Sequence, residues 1–203
     1  MQELSKFIIV LMMLNFSLSF ANDKDEIFNR LKDKYSNLQA ISFDFKSDNK
    51  FGISASISAK KGNKYRITMN ERVIYCNAES IWNYSIRDKN VLISKFKNLK
   101  SGSLEQIFFD FVKNYKASSL QKTNNSAGKN STLLELVAIE PKTAMYDKIE
   151  LSIDDKLNIN GIVLVKNYKK DSFIISNIKL NEKIDDKYFE FENKEKIEII
   201  DLR

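Results

Sequence analysis

Residues 23–38 place apolar side chains at Ile27, Phe28, Leu31, Tyr35 and Leu38, the spacing of an amphipathic helix. Asp23 as N-cap, with Glu26 three positions on, resembles a capping box at its start. From Ile41 the period changes to two. Ile41, Phe43 and Phe45 alternate with polar residues, as do Phe51, Ile53, Ala55, Ile57 and Ala59, and then Tyr65, Ile67 and Met69. Short stretches of Ser, Asp and Asn, and Lys-Gly-Asn at 61–63, separate these runs as hairpin turns would. Further strands are expected at 72–77, 80–86 and 90–96.

Residues 103–115 interrupt the alternation. Ser103 is placed to cap, Gln106 completes a box, and Leu104, Ile107, Phe108, Phe111, Val112 and Tyr115 make a wide apolar face. After the polar loop 124–130, strands are expected at 132–139, 147–153, 158–168 and 172–180, with Asp154-Asp155-Lys156 as a turn. A short Asp/Lys-rich segment leads to Phe189 and Phe191, and the last apolar positions are Ile197, Ile199 and Ile200. Many strands of period two and few helices predict a mainly β fold: a single curved antiparallel sheet, an unclosed half-barrel, with helices against its concave face. No linker, low-complexity tract or repeat divides the chain.

The first residues set the compartment. Lys6 precedes an apolar run from Phe7 to Leu14 that continues through Phe16 and Leu18, and Ser19-Phe20-Ala21 puts small residues at the two positions a signal peptidase reads. The run is short for a membrane span, and charged residues follow at once. It reads as an export signal, residues 1–21, cleaved after Ala21 to leave a single domain, 22–203, in the periplasm.

Composition removes most chemistry. There is no histidine among the 203 residues, so no Ser-His-Asp triad, Cys-His pair or histidine metal site can form. Cys76 stands alone, which excludes an intramolecular disulfide and reads as a small buried hydrophobe. Five glycines form no phosphate-binding loop, and the adjacent pairs Asp154-Asp155 and Asp185-Asp186 suit turns. No enzyme, metal or cofactor is expected. The net charge of +6 is uneven: residues 60–129 hold fourteen basic side chains against five acidic ones, while 130–203 hold twelve against fifteen. A basic centre favours anionic head groups or an acidic partner surface, or is simply a solvated face. Nucleic acid is not expected, since no motif interleaves aromatics along a basic stripe.

Three stretches carry a family resemblance. Lys60-Lys61-Gly62-Asn63-Lys64-Tyr65-Arg66-Ile67 resembles a segment of basic residue, proline and aromatic strand in the periplasmic lipoprotein carriers (LolA-like). Val73 to Tyr84, with Trp82-Asn83-Tyr84, is similar to their strand, Asp-Gly turn and Trp-x-Tyr strand. Ile139-Glu140-Pro141-Lys142, then Leu151, Asn160-Gly161 and Phe173, leads to Lys187-Tyr188-Phe189-Glu190-Phe191, which resembles their closing Phe-x-Phe. Three departures stand out: Asn77-Ala78 replaces Asp-Gly, Lys61-Gly62 replaces Arg-Pro, and Glu192-Asn193-Lys194 replaces Pro-Pro-Gly.

The resemblance implies a carrier whose half-barrel and helical lid enclose an apolar cavity for acyl chains. Candidate lining residues are Phe43, Phe45, Ile53, Ile57, Tyr65, Ile67 and Met69 on the strands, Trp82 and Tyr84, and Ile107, Phe108 and Phe111 on the second helix. On pattern alone the strand residues equally make one face of a packed sheet, and Trp82 and Tyr84 line a cavity or plug an ordinary core. In the family an arginine helps hold the lid shut through backbone carbonyls. Lys61 is the candidate latch in its place, lacking the planar five-donor fork. The implied partners are acylated lipoproteins, an inner-membrane lipoprotein-releasing ABC transporter and, in lineages that have one, an outer-membrane lipoprotein receptor; a monomer is expected. The competing expectations are a lipid- or peptide-sensing signalling module on the same fold, and a lipid hydrolase using Ser-Lys chemistry.

Overall fold

The computed structural model describes residues 23–48, 52–97, 104–124, 130–193 and 197–203. The expected leader 1–21, Phe51, the cap Ser103 and the loop centre 125–129 lie outside them. Helix α1 spans 23–35. A first meander follows: β1 (Ala40–Ser47), β2 (Ser54–Lys60), β3 (Lys64–Thr68), β4 (Arg72–Asn77), β5 (Ser80–Ser85) and β6 (Asn90–Lys95). Helix α2 (Leu104–Asn114) runs without a break into a second meander of β7 (Tyr115–Asn124), β8 (Asn130–Ala138), β9 (Lys148–Ile153), β10 (Ile159–Lys166) and β11 (Lys169–Leu180). A 3-10 turn at Asp186–Phe189 and β12 (Glu198–Asp201) complete the chain.

All twelve strands form one sheet, in the order β12-β6-β5-β4-β3-β2-β1-β11-β10-β9-β8-β7. The meanders join where β11 pairs antiparallel with β1, Phe45 opposite Ile175 and Ser47 opposite Phe173. The sheet does not close, and β12 and β7 are its edges. Phe108 of α2 meets Phe43 of β1, and both helices share one core with strands of both meanders, so the sheet curls around them and α2 lies across its inner face.

The main core fills the space between the two helices and that face. Phe28, Leu31, Tyr35 and Leu38 come from the first helical segment, and Ile107, Phe108 and Phe111 from α2. They pack on Ile41, Phe43 and Ile57 of the first meander and on Leu134, Leu136, Ile149, Leu151, Ile162 and Leu164 of the second. The alternation that predicted strands is the alternation between this core and the outside.

The outer face carries its own packing. Val73, Val91, Ile93 and Phe189 are buried there, away from the helices. Phe191 sets its ring 5.8 Å from Tyr75 and 5.4 Å from Tyr84. The Arg66 guanidinium lies between Tyr75 and Tyr188, 4.9 and 4.6 Å from their ring centres. Asp186 accepts from both Lys60 (2.5 Å) and Lys64 (2.6 Å), which face each other across β2 and β3. The segment 186–191 is thus fastened to the outer face by charge at one end and by aromatic rings at the other. Farther along that face, Glu135 sits directly opposite Glu150, a pairing that Lys148 makes tolerable by reaching both, at 2.8 and 3.0 Å.

Two strands were not evident in the pattern. The β7 segment Tyr-Lys-Ala-Ser-Ser-Leu-Gln-Lys-Thr-Asn has few β-branched or aromatic residues and a register shift between Ala117 and Ser119; its place is set by pairing with β8. The apolar tail Ile199-Ile200 forms β12, which pairs parallel with β6 and so departs from the antiparallel meander. The hairpin between β10 and β11 is tighter than expected: Asn167 and Tyr168 take φ of 48° and 65°, the two-residue turn whose twist matches the strands.

The Asn77-Ala78 turn explains how the chain does without Asp-Gly. The Asn77 side-chain Oδ1 accepts from the backbone N–H of Glu79 (3.0 Å) and Ser80 (2.9 Å), as an aspartate carboxylate would. Ala78 takes φ of 76°, where glycine has no steric cost. Ala78→Gly is expected to raise the unfolding free energy by roughly 1 kcal/mol in urea titration. Its two lysine partners hold the Asp186 carboxyl down at about 2, against 3.8. A carboxyl depressed in the folded state stabilises above its unfolded value and loses that effect as pH falls through the folded one. Asp186→Asn should therefore be less stable than the parent above pH 4, with the difference vanishing as pH approaches 2.

Candidate functional site

Strand register sorts the predicted lining residues into two faces. On the inner face one cross-strand row runs Phe43, Ile57, Ile67, Ile74, Asn83, Leu92 and Ile200. Its exposure climbs steadily: Phe43 and Ile57 are 2% exposed, Ile67 and Ile74 half-buried, Leu92 37% and Ile200 40% exposed. The helices cover only the near end. Phe108 of α2 lies 4.8 Å from Phe43, and Tyr35 of α1 lies 6.2 Å from Phe108 and 5.6 Å from Phe111. The far end, across β3 to β6, is an apolar surface only partly covered.

The neighbouring rows take most of the other predicted residues. Tyr65 lies between Ala59 and Cys76, half-buried, and Phe45 sets its ring against Phe173 at 5.7 Å. Met69 follows Ile67 by two positions and is half-buried, whereas Ile53 is 57% exposed. Phe43, Phe45, Ile57, Tyr65, Ile67, Ile107, Phe108 and Phe111 are therefore brought together.

Trp82 and Tyr84 are not. Trp82 stands opposite Tyr75, and Tyr84 opposite Val73 and Val91, on the outer face under Phe191. Both are half-buried there, in packing on the side of the sheet away from the helices. The period of two does not tell which face is which until a neighbour's register is known.

A pocket of about 640 Å³ lies beside α2, between the β2–β3 turn and the β8–β9 connection. Its apolar wall is Ile107, Phe109, Phe111, Tyr115 and Ile149, and its polar rim holds Lys60, Lys61, Lys64, Lys113 and Glu140. The volume falls within the roughly 300–1,000 Å³ of small-molecule sites. Burial pushes the Tyr35 hydroxyl up to about 12, so the group at the end of α1 is a neutral phenol at any physiological pH.

Lys61 does not tie helix to sheet. It is exposed, and its ammonium has no hydrogen-bond or ion-pair partner among the described residues. Lysines of α1 make the helix-to-sheet bonds instead. Lys34, in its last turn, donates to the backbone oxygens of Lys156 (3.0 Å) and Leu157 (2.9 Å) and to the side chain of Asn158 (2.8 Å). Those acceptors sit in the β9–β10 turn, held in shape by Asp154, which accepts from the Asn158 side chain and from the backbone N–H groups of Lys156 and Asn158. Partial burial lowers the Lys34 ammonium below the usual lysine range, and Asp154 opposes that shift. At the other end of α1, Lys122 reaches Asp23 at 3.1 Å and Lys24 reaches the Ala117 carbonyl at 3.4 Å. A lysine in the last turn of a helix suits the helix dipole, and that was the only trace of Lys34 in the sequence. Lys113, in the last turn of α2, left the same trace, and Phe109 and Ile149 left none.

Among the described residues no group of side chains could hold a metal ion, and no helix is long and apolar enough to cross a membrane.

The family model described as "Outer membrane lipoprotein carrier protein LolA" matches residues 45–192, from β1 to just past Phe191. A protein of Francisella philomiragia subsp. philomiragia named "Outer-membrane lipoprotein carrier protein" is 28% identical over 213 residues, covering 97% of this chain and 98% of that one. Among solved structures, an uncharacterized conserved protein from Thermus thermophilus superposes with a TM-score of 0.52 at 11% identity, over 87% of this chain and 97% of that one, a likeness of fold.

The Lys34 bonds make a direct prediction. Lys34→Met keeps the stem and removes all three donated bonds, so amide hydrogen exchange in residues 23–35 should quicken at least tenfold. Exchange in β8 and β9 should stay at the parent's rate.

Proposed function

This chain belongs to the LolA family of outer membrane lipoprotein carrier proteins, and from that premise we propose that it shuttles acylated lipoproteins through the periplasm, from the inner to the outer membrane. Binding of lipoproteins as a carrier is the role its family and its Francisella relative support. The observation that carries the finer reading is the inner-face row from Phe43 to Ile200, buried at one end and open at the other. Acyl chains gain about 0.8 kcal/mol per CH₂ removed from water, so a chain entering beside α2 and lying along that row is held without chemistry. Phe108 of α2 already lies on this surface, against Phe43. Loading exchanges side-chain contacts for acyl contacts, with modest net change, which suits a protein that must also release its cargo.

In this reading residues 1–21 are removed at export and 22–203 act as one domain. The cargo is handed over by an inner-membrane lipoprotein-releasing ABC transporter and given up at the outer membrane, to a receptor where one exists. No residue set for hydrolysis is required, and the family's members are carriers. The lid is the pair of helices, with α1 fastened through Lys34 and α2 bordering the pocket.

Ile67→Glu puts a carboxylate in the middle of the row at a half-buried position. It is expected to abolish release of lipoproteins from spheroplasts, while Ile174→Glu, at an outer-face position 54% exposed, leaves release intact. Release at parental levels by a folded Ile67→Glu protein would mean that acyl chains do not lie on this face.

A further inference from the structure

The pocket beside α2 has a rim whose charge the carriage of neutral acyl chains does not use. Four lysines and one glutamate line it. Lys60 and Lys64 are held by the Asp186 carboxylate, which they share on the outer face. Lys61 and Lys113 are not: both are exposed, and neither has a hydrogen-bond or ion-pair partner among the described residues. They come from different elements, Lys61 from the β2–β3 turn and Lys113 from the last turn of α2, yet line the same opening. Directly inside that opening the wall is Ile107, Phe109, Phe111 and Ile149.

An opening with two unpaired ammonium groups outside and an apolar wall inside matches one ligand chemistry, a compact oxyanion joined to an aliphatic tail. We infer that this pocket binds anionic amphiphiles, with the tail between α2 and the sheet and the carboxylate or phosphate head between Lys61 and Lys113. This rests on the reading that the space beside α2 takes acyl chains, and adds a preference for charge at their head. Lysine stems lie along apolar surface while their ammonium groups stay in water, so the head group remains at the mouth and the ions are not buried. Glu140 on the same rim opposes anions, which leaves the preference moderate and sensitive to salt.

The test uses the mature chain and displacement of a neutral hydrophobic fluorophore by three amphiphiles of one tail length, each below its micelle threshold. Palmitate carries a carboxylate, 1-palmitoyl lysophosphatidate a phosphate, and 1-palmitoylglycerol no charge. At low salt at least one anionic ligand should bind about tenfold more tightly than the glycerol ester, as two partly exposed ion pairs allow, and the ratio should fall several-fold in 0.5 M salt. The stronger anion identifies the head group. Lys61→Gln with Lys113→Gln, both at exposed positions, should bring the ratio close to one. Equal binding of all three ligands by the parent overturns the inference and leaves the acyl-chain reading standing. So does an anionic preference that survives in the double variant. Failure of every ligand to displace the fluorophore overturns the acyl-chain reading, and this inference with it.

Discussion

The pairing of β1 with β11 is the seam on which the molecule depends. It binds the first strand of one meander to the last strand of the other, from Ile41–Leu180 to Ser47–Phe173, and makes two small sheets one. Once they are one, strands of both meanders present a single inner face, and α2 packs across it. The core between helices and strands is where the two meet, in contacts such as Phe43 with Phe108.

The sheet is stabilised differently on its two sides. The second meander and β1–β2 are covered by helices and densely apolar. The strands β3 to β6 are covered from the other side, by the segment that carries Asp186, Tyr188, Phe189 and Phe191. Because that segment packs on Tyr75, Tyr84 and Arg66, the inner surface of the same strands need not be filled for the sheet to stand. An apolar surface can thus be left partly uncovered, as a carrier of aliphatic cargo requires.

The strands of the first meander could be read because each puts one side on a core, and Phe43-x-Phe45 or Ile57-x-Ala59 records that in the sequence. The first helical segment and α2 were readable for the same reason at a different period. What could not be read lay between segments. The side to which Trp82 points depends on its register with Tyr75, and β7 exists because β8 lies beside it. Lys34 meets its three acceptors more than 120 residues away in the chain, so nothing local marks it. Lys61, by contrast, drew attention through the motif it occupies, and the structure leaves its ammonium in solvent at a pocket mouth.

Cys76 lies fully buried between Tyr65 and Ile81 on the inner face, its thiol donating to the Asn63 carbonyl at 3.2 Å. A chain with one thiol has no oxidative step in its folding, and a thiol so enclosed offers nothing to another molecule. The fold is therefore indifferent to redox potential. Its maturation calls on no machinery that makes or reshuffles disulfides.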